Sequence, residues 1–129
     1  MDSDLKEKLA KIFSECPSVK LAYLFGSRAN NTSGPISDYD FAIYLEKESG
    51  NFNVKLDLVA KLSKLLKSDL VDLVCFSTKT PSELKYAIIK EGLILFERNF
   101  ARQDFEPKVL SEYFDYRENM VPHGLTNVS

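Results

Sequence analysis

Residues 19–25 (VKLAYLF) and 39–45 (YDFAIYL) each alternate in the period of a β-strand, and they are joined by a polar stretch with no helical pattern. That spacing constrains the fold more than any other feature. A parallel pair needs a crossover of a dozen or more residues, usually a helix, whereas antiparallel neighbours can be joined by an irregular link. The two strands are therefore expected to pair antiparallel, bringing Gly26-Ser27 at the end of the first close to Asp38 at the start of the second. Val19, Leu21, Tyr23 and Phe25 are expected on one side of the first strand. Tyr39, Phe41 and Ile43 are expected to share one side of the second.

Helical patterns surround this pair. Leu5, Leu9, Ile12 and Phe13 give residues 4–15 one apolar face, and Pro17 closes the segment. After a turn-like Ser49-Gly50, a second helix is expected over 52–67, with Leu58, Leu62, Leu65 and Leu66 on its stripe and Asp57–Lys61 as an i, i+4 pair. LVDLVCF, residues 70–76, reads as a strand buried on both faces. Thr80-Pro81-Ser82-Glu83 reads as a helix start with Thr80 capping and Pro81 at the first helical position. That helix is expected to turn Leu84, Ala87 and Ile88 inward and to stop at Gly92. LILF, 93–96, is a last strand. A final helix after Asp104 is expected to use Val109, Leu110, Tyr113 and Phe114.

The order α-β-β-α-β-α-β-α predicts an α+β fold, a mixed sheet flanked by helices. At 129 residues, with no internal repeat or linker, one domain over 1–129 is expected, with 119–129 as a flexible tail. Nineteen acidic against seventeen basic residues leave a net charge of −2, so direct nucleic-acid binding is not indicated. No apolar run reaches the roughly 20 residues that span a bilayer. The charged, amphipathic opening carries no secretion signal, and Cys16 and Cys75 lie in no metal-ligand spacing. Reduced cysteines and a cytoplasmic location are the expectation.

The candidate chemistry lies between 26 and 72. Strand residues two apart share a face, so Asp38 and Asp40 point together, away from Tyr39 and Phe41. Two close carboxylates repel unless a cation sits between them. With no His or Cys alongside, a hard divalent ion such as Mg²⁺ suits them better than zinc. Gly26-Ser27 ends a strand and opens a short turn whose free N–H groups, with the Ser27 hydroxyl and Arg28 guanidinium, suit a phosphate. Asp72 interrupts an apolar strand, where an unpaired charge is costly. If that strand neighbours the one carrying Asp40, three carboxylates converge, enough for two metal ions in phosphoryl or nucleotidyl transfer. Asp69 is read as turn chemistry, His123 as a solvent-exposed tail residue, and Arg98, Arg102 and Lys108 as a solvated face, with a small basic patch as the alternative. The run Tyr113–Tyr116 is read as helix packing, with partner docking as the alternative.

Gly26-Ser27, ten residues, then Asp38-Tyr39-Asp40 resembles the GSx10DxD signature of the DNA polymerase β-like nucleotidyltransferase superfamily. LFGSRA, DFAIYL, VDLVCF and PSELKYAIIKEGLILFER extend the resemblance, over about residues 19–98, to the minimal nucleotidyltransferases of antitoxin type. That resemblance implies a nucleoside triphosphate donor, ATP foremost, with Gly26, Ser27 and Arg28 on its phosphates. It implies Mg²⁺, two ions, held by Asp38, Asp40 and Asp72, with Asp72 also orienting the acceptor hydroxyl. It further implies a HEPN-type helical toxin as partner and acceptor of AMP, this chain being the transferase half and the antitoxin. The alternatives are a non-catalytic module that neutralises a partner by occlusion, and a small-molecule nucleotidyltransferase completed by a second chain.

Overall fold

The computed structural model describes residues 2–26, 38–47 and 51–120, the side chains of 51, 119 and 120 excepted. The Ser49-Gly50 turn, Ser27, Arg28, His123 and the tail beyond 120 lie outside the described residues. In chain order the elements are α1 (Ser3–Ser14), β1 (Val19–Phe25), β2 (Tyr39–Leu45), α2 (Asn51–Leu66), β3 (Val71–Cys75), α3 (Ser82–Glu91), β4 (Leu93–Glu97) and α4 (Ala101–Met120). The strands form one sheet in the order β3-β2-β1-β4. β1 pairs antiparallel with both β2 and β4, and β2 pairs parallel with β3 through α2. The sheet is mixed, as expected.

Each face of the sheet carries two helices. Leu9 and Phe13 of α1 and Leu58 and Leu62 of α2 pack on Ala22, Leu24, Phe41, Ile43, Leu73 and Leu95. Ile88 of α3 and Ala101, Phe105 and Val109 of α4 pack with Phe76 on Leu21, Tyr23 and Ala42. With apolar groups removed from water on both sides, the hydrophobic effect holds a three-layer arrangement. The Asp57–Lys61 pair forms on the wet side of α2 at 3.1 Å. No helix among the described residues is long and apolar enough to cross a membrane.

Several expectations need correction. A register shift between Val19 and Leu21 puts Val19 in the α1/α2 core and Leu21 in the other. β3 is an edge strand and only partly buried, because β2 covers one side of it and no described strand covers the other. The α3 cap is Pro81, while Thr80 turns its hydroxyl to accept from the Ser77 N–H at 3.0 Å. Gly92 ends α3 in an extended conformation, so a left-handed cap is not its role. A Cβ there would run into the Ile88 carbonyl oxygen and crowd that of Leu24, so glycine permits close packing of α3 on β1. Ala87 is exposed. α4 starts three residues before Asp104, includes Pro107, and leaves Leu110 and Phe114 36% and 53% exposed. It extends through 119 and 120, so only 121–129 of the expected tail lies beyond it.

Arg98, just after β4, is structural rather than part of a solvated face. Its Nε donates to the Val19 carbonyl at 3.0 Å and its Nη2 donates to those of Ser14 and Cys16 at 2.9 and 3.3 Å. It thereby satisfies carbonyls in the α1–β1 connection, including that of the last residue of α1. Arg98→Ala should lower the unfolding free energy by about 2 kcal/mol, the scale of lost charged hydrogen bonds. Lysine, a single point donor, should restore less than half of it. Urea unfolding followed by circular dichroism measures both.

Candidate active site

The parallel pairing of β2 with β3 places Asp40 directly opposite Asp72. The flanking residues Tyr39, Phe41, Val71 and Leu73 pack into the α1/α2 core, so alternation sends both carboxylates to the α3/α4 face. Asp38 precedes β2 and is exposed, as is Asp72, while Asp40 is half-buried. Burial raises the pKa of Asp40 above the ordinary carboxylate value, and the negative charges of Asp72 and then Asp38 add to the rise. The structure thus brings the three expected acids into one electrostatic unit at the start of the parallel pair. Among the described residues no group of three His, Cys, Asp or Glu side chains stands ready-made as a metal cage.

Gly26 closes the site from β1, whose Phe25 is the register partner of Asp40. Its φ of +76° lies in the left-handed region, and a Cβ there would stand 2.7 Å from Asp40 Oδ2. The left-handed backbone therefore favours glycine, and any Cβ there would also push the Asp40 carboxylate aside. On its other side Gly26 lines a cavity of about 190 Å³ with Phe25, Leu84, Ala87, Ile88 and Glu91. Ser27 and Arg28 follow Gly26 in sequence but lie outside the described residues.

Sequence reasoning missed two polar ties beneath α4. Tyr23, in the middle of β1, donates its hydroxyl to Glu106 Oε2 at 2.6 Å, and Arg102 Nε donates to the same oxygen at 3.0 Å. Burial and then the Glu106 carboxylate push the phenol far above its usual range. Lys85, only 8% exposed, reaches Glu112 at 3.2 Å. The i, i+4 spacing of Arg102 and Glu106 was the only trace of either tie in the sequence. Tyr113 packs as expected, stacked on Tyr86 with ring centroids 4.0 Å apart.

Residues 7–101 match the family model described as polymerase beta, nucleotidyltransferase. This chain belongs to that family. It is 26% identical over 117 residues to the protein adenylyltransferase MntA of Aphanizomenon flos-aquae, covering 84% of this chain and 77% of that protein. Its fold resembles a chain in the crystal structure of a toxin–antitoxin with AMP-PNP, at a TM-score of 0.75 and 28% identity over 88% of this chain and 90% of that one. It also resembles a chain in the structure of the tri-AMPylated Shewanella oneidensis HEPN toxin with its MNT antitoxin, at a TM-score of 0.71 and 26% identity over 92% of each chain. The family match spans all four strands and stops at the first residue of α4.

The raised pKa of Asp40 has a sign that can be tested in protein free of divalent cations. Folding makes this carboxyl hold its proton more tightly. Its contribution to stability therefore falls as pH climbs from the ordinary carboxylate range through the raised folded value, and returns on acidification. Asp40→Asn should be more stable than wild type at pH 7, and the gap should close below about pH 4. Thermal melts across pH measure it.

Proposed function

We propose that this chain is a Mg²⁺-dependent nucleotidyltransferase, a single domain that transfers AMP from ATP to a hydroxyl on a HEPN-type toxin and acts as the antitoxin. The observation that carries this reading is the opposition of Asp40 and Asp72, with Asp38 beside them and Gly26 against Asp40. Support comes from the family, from the adenylyltransferase MntA, and from structural relatives determined with AMP-PNP and with an AMPylated HEPN toxin. Free thiols at Cys16 and Cys75 support a cytoplasmic location.

The donor set fits a hard cation. It is all carboxylate oxygen, and like charge rather than any cation accompanies burial in raising the Asp40 pKa. Asp38, Asp40 and Asp72 would hold Mg²⁺, which supplies neutralisation of charge on the α-phosphate and leaving group. The backbone at Gly26, with Ser27 and Arg28, holds the triphosphate. Asp72, at the outer edge of the sheet and open to solvent, orients the acceptor hydroxyl and draws its proton. The hydroxyl oxygen then attacks the α-phosphorus in line. A bond from phosphorus to the acceptor oxygen forms, the bond to the bridging α,β-oxygen breaks, and pyrophosphate leaves with the electron pair.

Asp38→Asn with Asp40→Asn should cut transfer of labelled AMP to the partner by at least about a thousandfold, because the residues act as a unit. It should also abolish Mg²⁺-dependent binding of ATP, read by calorimetry. A double variant that still neutralises the toxin without transferring AMP would instead make occlusion the function.

A further inference from the structure

At the end of the sheet away from the acids, basic residues from three parts of the chain line one cavity of about 200 Å³. Lys20 and Tyr44 reach it from β1 and β2, Arg98 and Asn99 from the turn after β4, and Asp104 and Lys108 from α4. Lys20 lies five residues before Phe25, roughly 17 Å along the strand from the end next to Gly26. Three cations against one carboxylate give the walls a formal charge of +2, in a chain whose net charge is −2.

The fold gathers these charges and leaves them uncompensated. Lys20 is the extra residue of the β1 bulge, without a register partner on β2, and its carbonyl accepts from the Arg98 N–H at 2.9 Å. Bulges re-aim side chains and recur beside functional sites. Asp104 precedes Lys108 by four residues, the spacing that closes Asp4–Lys8 at 3.2 Å and Asp57–Lys61 at 3.1 Å. No bridge closes here, and neither Lys20 nor Lys108 pairs with any described residue. Arg98 commits Nε and Nη2 to backbone carbonyls, which leaves its Nη1 without a described acceptor. Tyr44 is fixed by stacking on Phe105, with centroids 4.6 Å apart, and its hydroxyl has no described partner.

We infer that this cavity binds a small sugar phosphate, at a site separate from the acids and independent of the donor site proposed above. A phosphate monoester carries a charge of about −1.5 to −2 at neutral pH, which matches the walls. Its oxygens go to Lys20, Lys108 and the Arg98 Nη1 in charge-assisted hydrogen bonds. The Asp104 carboxylate repels phosphate and only accepts hydrogen bonds, so it takes a hydroxyl of the sugar. The volume lies below the range of about 300–1,000 Å³ typical of larger ligands, and so suits a sugar phosphate rather than a whole nucleotide.

Calorimetric titration of the full chain with ribose 5-phosphate, inorganic phosphate and ribose, at low salt and without divalent cations, tests this. Ribose 5-phosphate should bind and raise the thermal midpoint. Inorganic phosphate should bind at least about fivefold more weakly, the scale of one hydrogen bond, and ribose should not bind. Lys20→Met and Lys108→Met, which keep the apolar stem, should each weaken the ester about tenfold without moving the ligand-free midpoint. Asp104→Ala should erase the preference for the ester over inorganic phosphate. Asp38→Asn with Asp40→Asn should bind the ester as wild type does.

Wild type that gives no heat with the ester overturns the site, as does undiminished binding after Lys20→Met and Lys108→Met are combined. Inorganic phosphate bound as tightly as the ester, or a preference that survives Asp104→Ala, overturns the assignment of the sugar. Loss of binding in the Asp38→Asn, Asp40→Asn variant puts the ligand at the acids and overturns the cavity.

Discussion

Everything at the site depends on the parallel ladder between β2 and β3. It sets Asp40 against Asp72 although the two charges repel, and it can do so because the opposite faces of the same strands are committed to the core. Phe41 and Leu73 are fully or almost fully buried under α1 and α2. A one-residue slip would turn the acids inward and those side chains outward. Apolar burial therefore fixes the register, and the register forces like charges together. The resulting repulsion is a local cost that a bound cation would relieve.

The second core does a different job. α3 and α4 cover the face toward which the acids project, and they are held there partly by polar ties. Tyr23 anchors Glu106 and Arg102 of α4 to the centre of β1, and Lys85 ties α3 to Glu112 of α4. Such buried groups are costly when left unpaired, so they fix one seating of the helices over the sheet. The end of α3 next to Gly26 is positioned by that seating and by Gly92, which admits the close approach to Leu24.

Period and spacing made most of the sheet legible. The antiparallel pairing of β1 with β2 follows from alternation and from a link whose sequence has no helical pattern. The convergence of three acids was conditional on β3 lying beside β2, which the parallel ladder supplies. The errors have physical causes. A bulge near Lys20 breaks the alternation after Val19, which no local pattern reveals. Cys75 and Val74 look like a central strand by composition, but a sheet edge half-covered by α2 needs the same residues. α4 resisted reading because it is apolar on two sides. Phe105 and Val109 point inward while Leu110 and Phe114 remain exposed, so one amphipathic stripe could not be picked out. Of the site, the acids and Gly26 were legible, whereas the ties that seat the helices over it were not, because Tyr23–Glu106 and Lys85–Glu112 join elements far apart in the sequence.

The edge position of β3 gives Asp72 a second significance. An outermost strand offers unpaired backbone groups to any passing chain, and proteins commonly guard such edges with charge. Here the guard is the acid placed among Val71, Leu73 and Val74, and it is solvent-exposed. The residue that completes the acidic cluster thus also places a charge on the outermost strand, where charge opposes pairing with another sheet. Neutralising it disarms both at once, so the association state of any Asp72 variant bears directly on what its lost activity means.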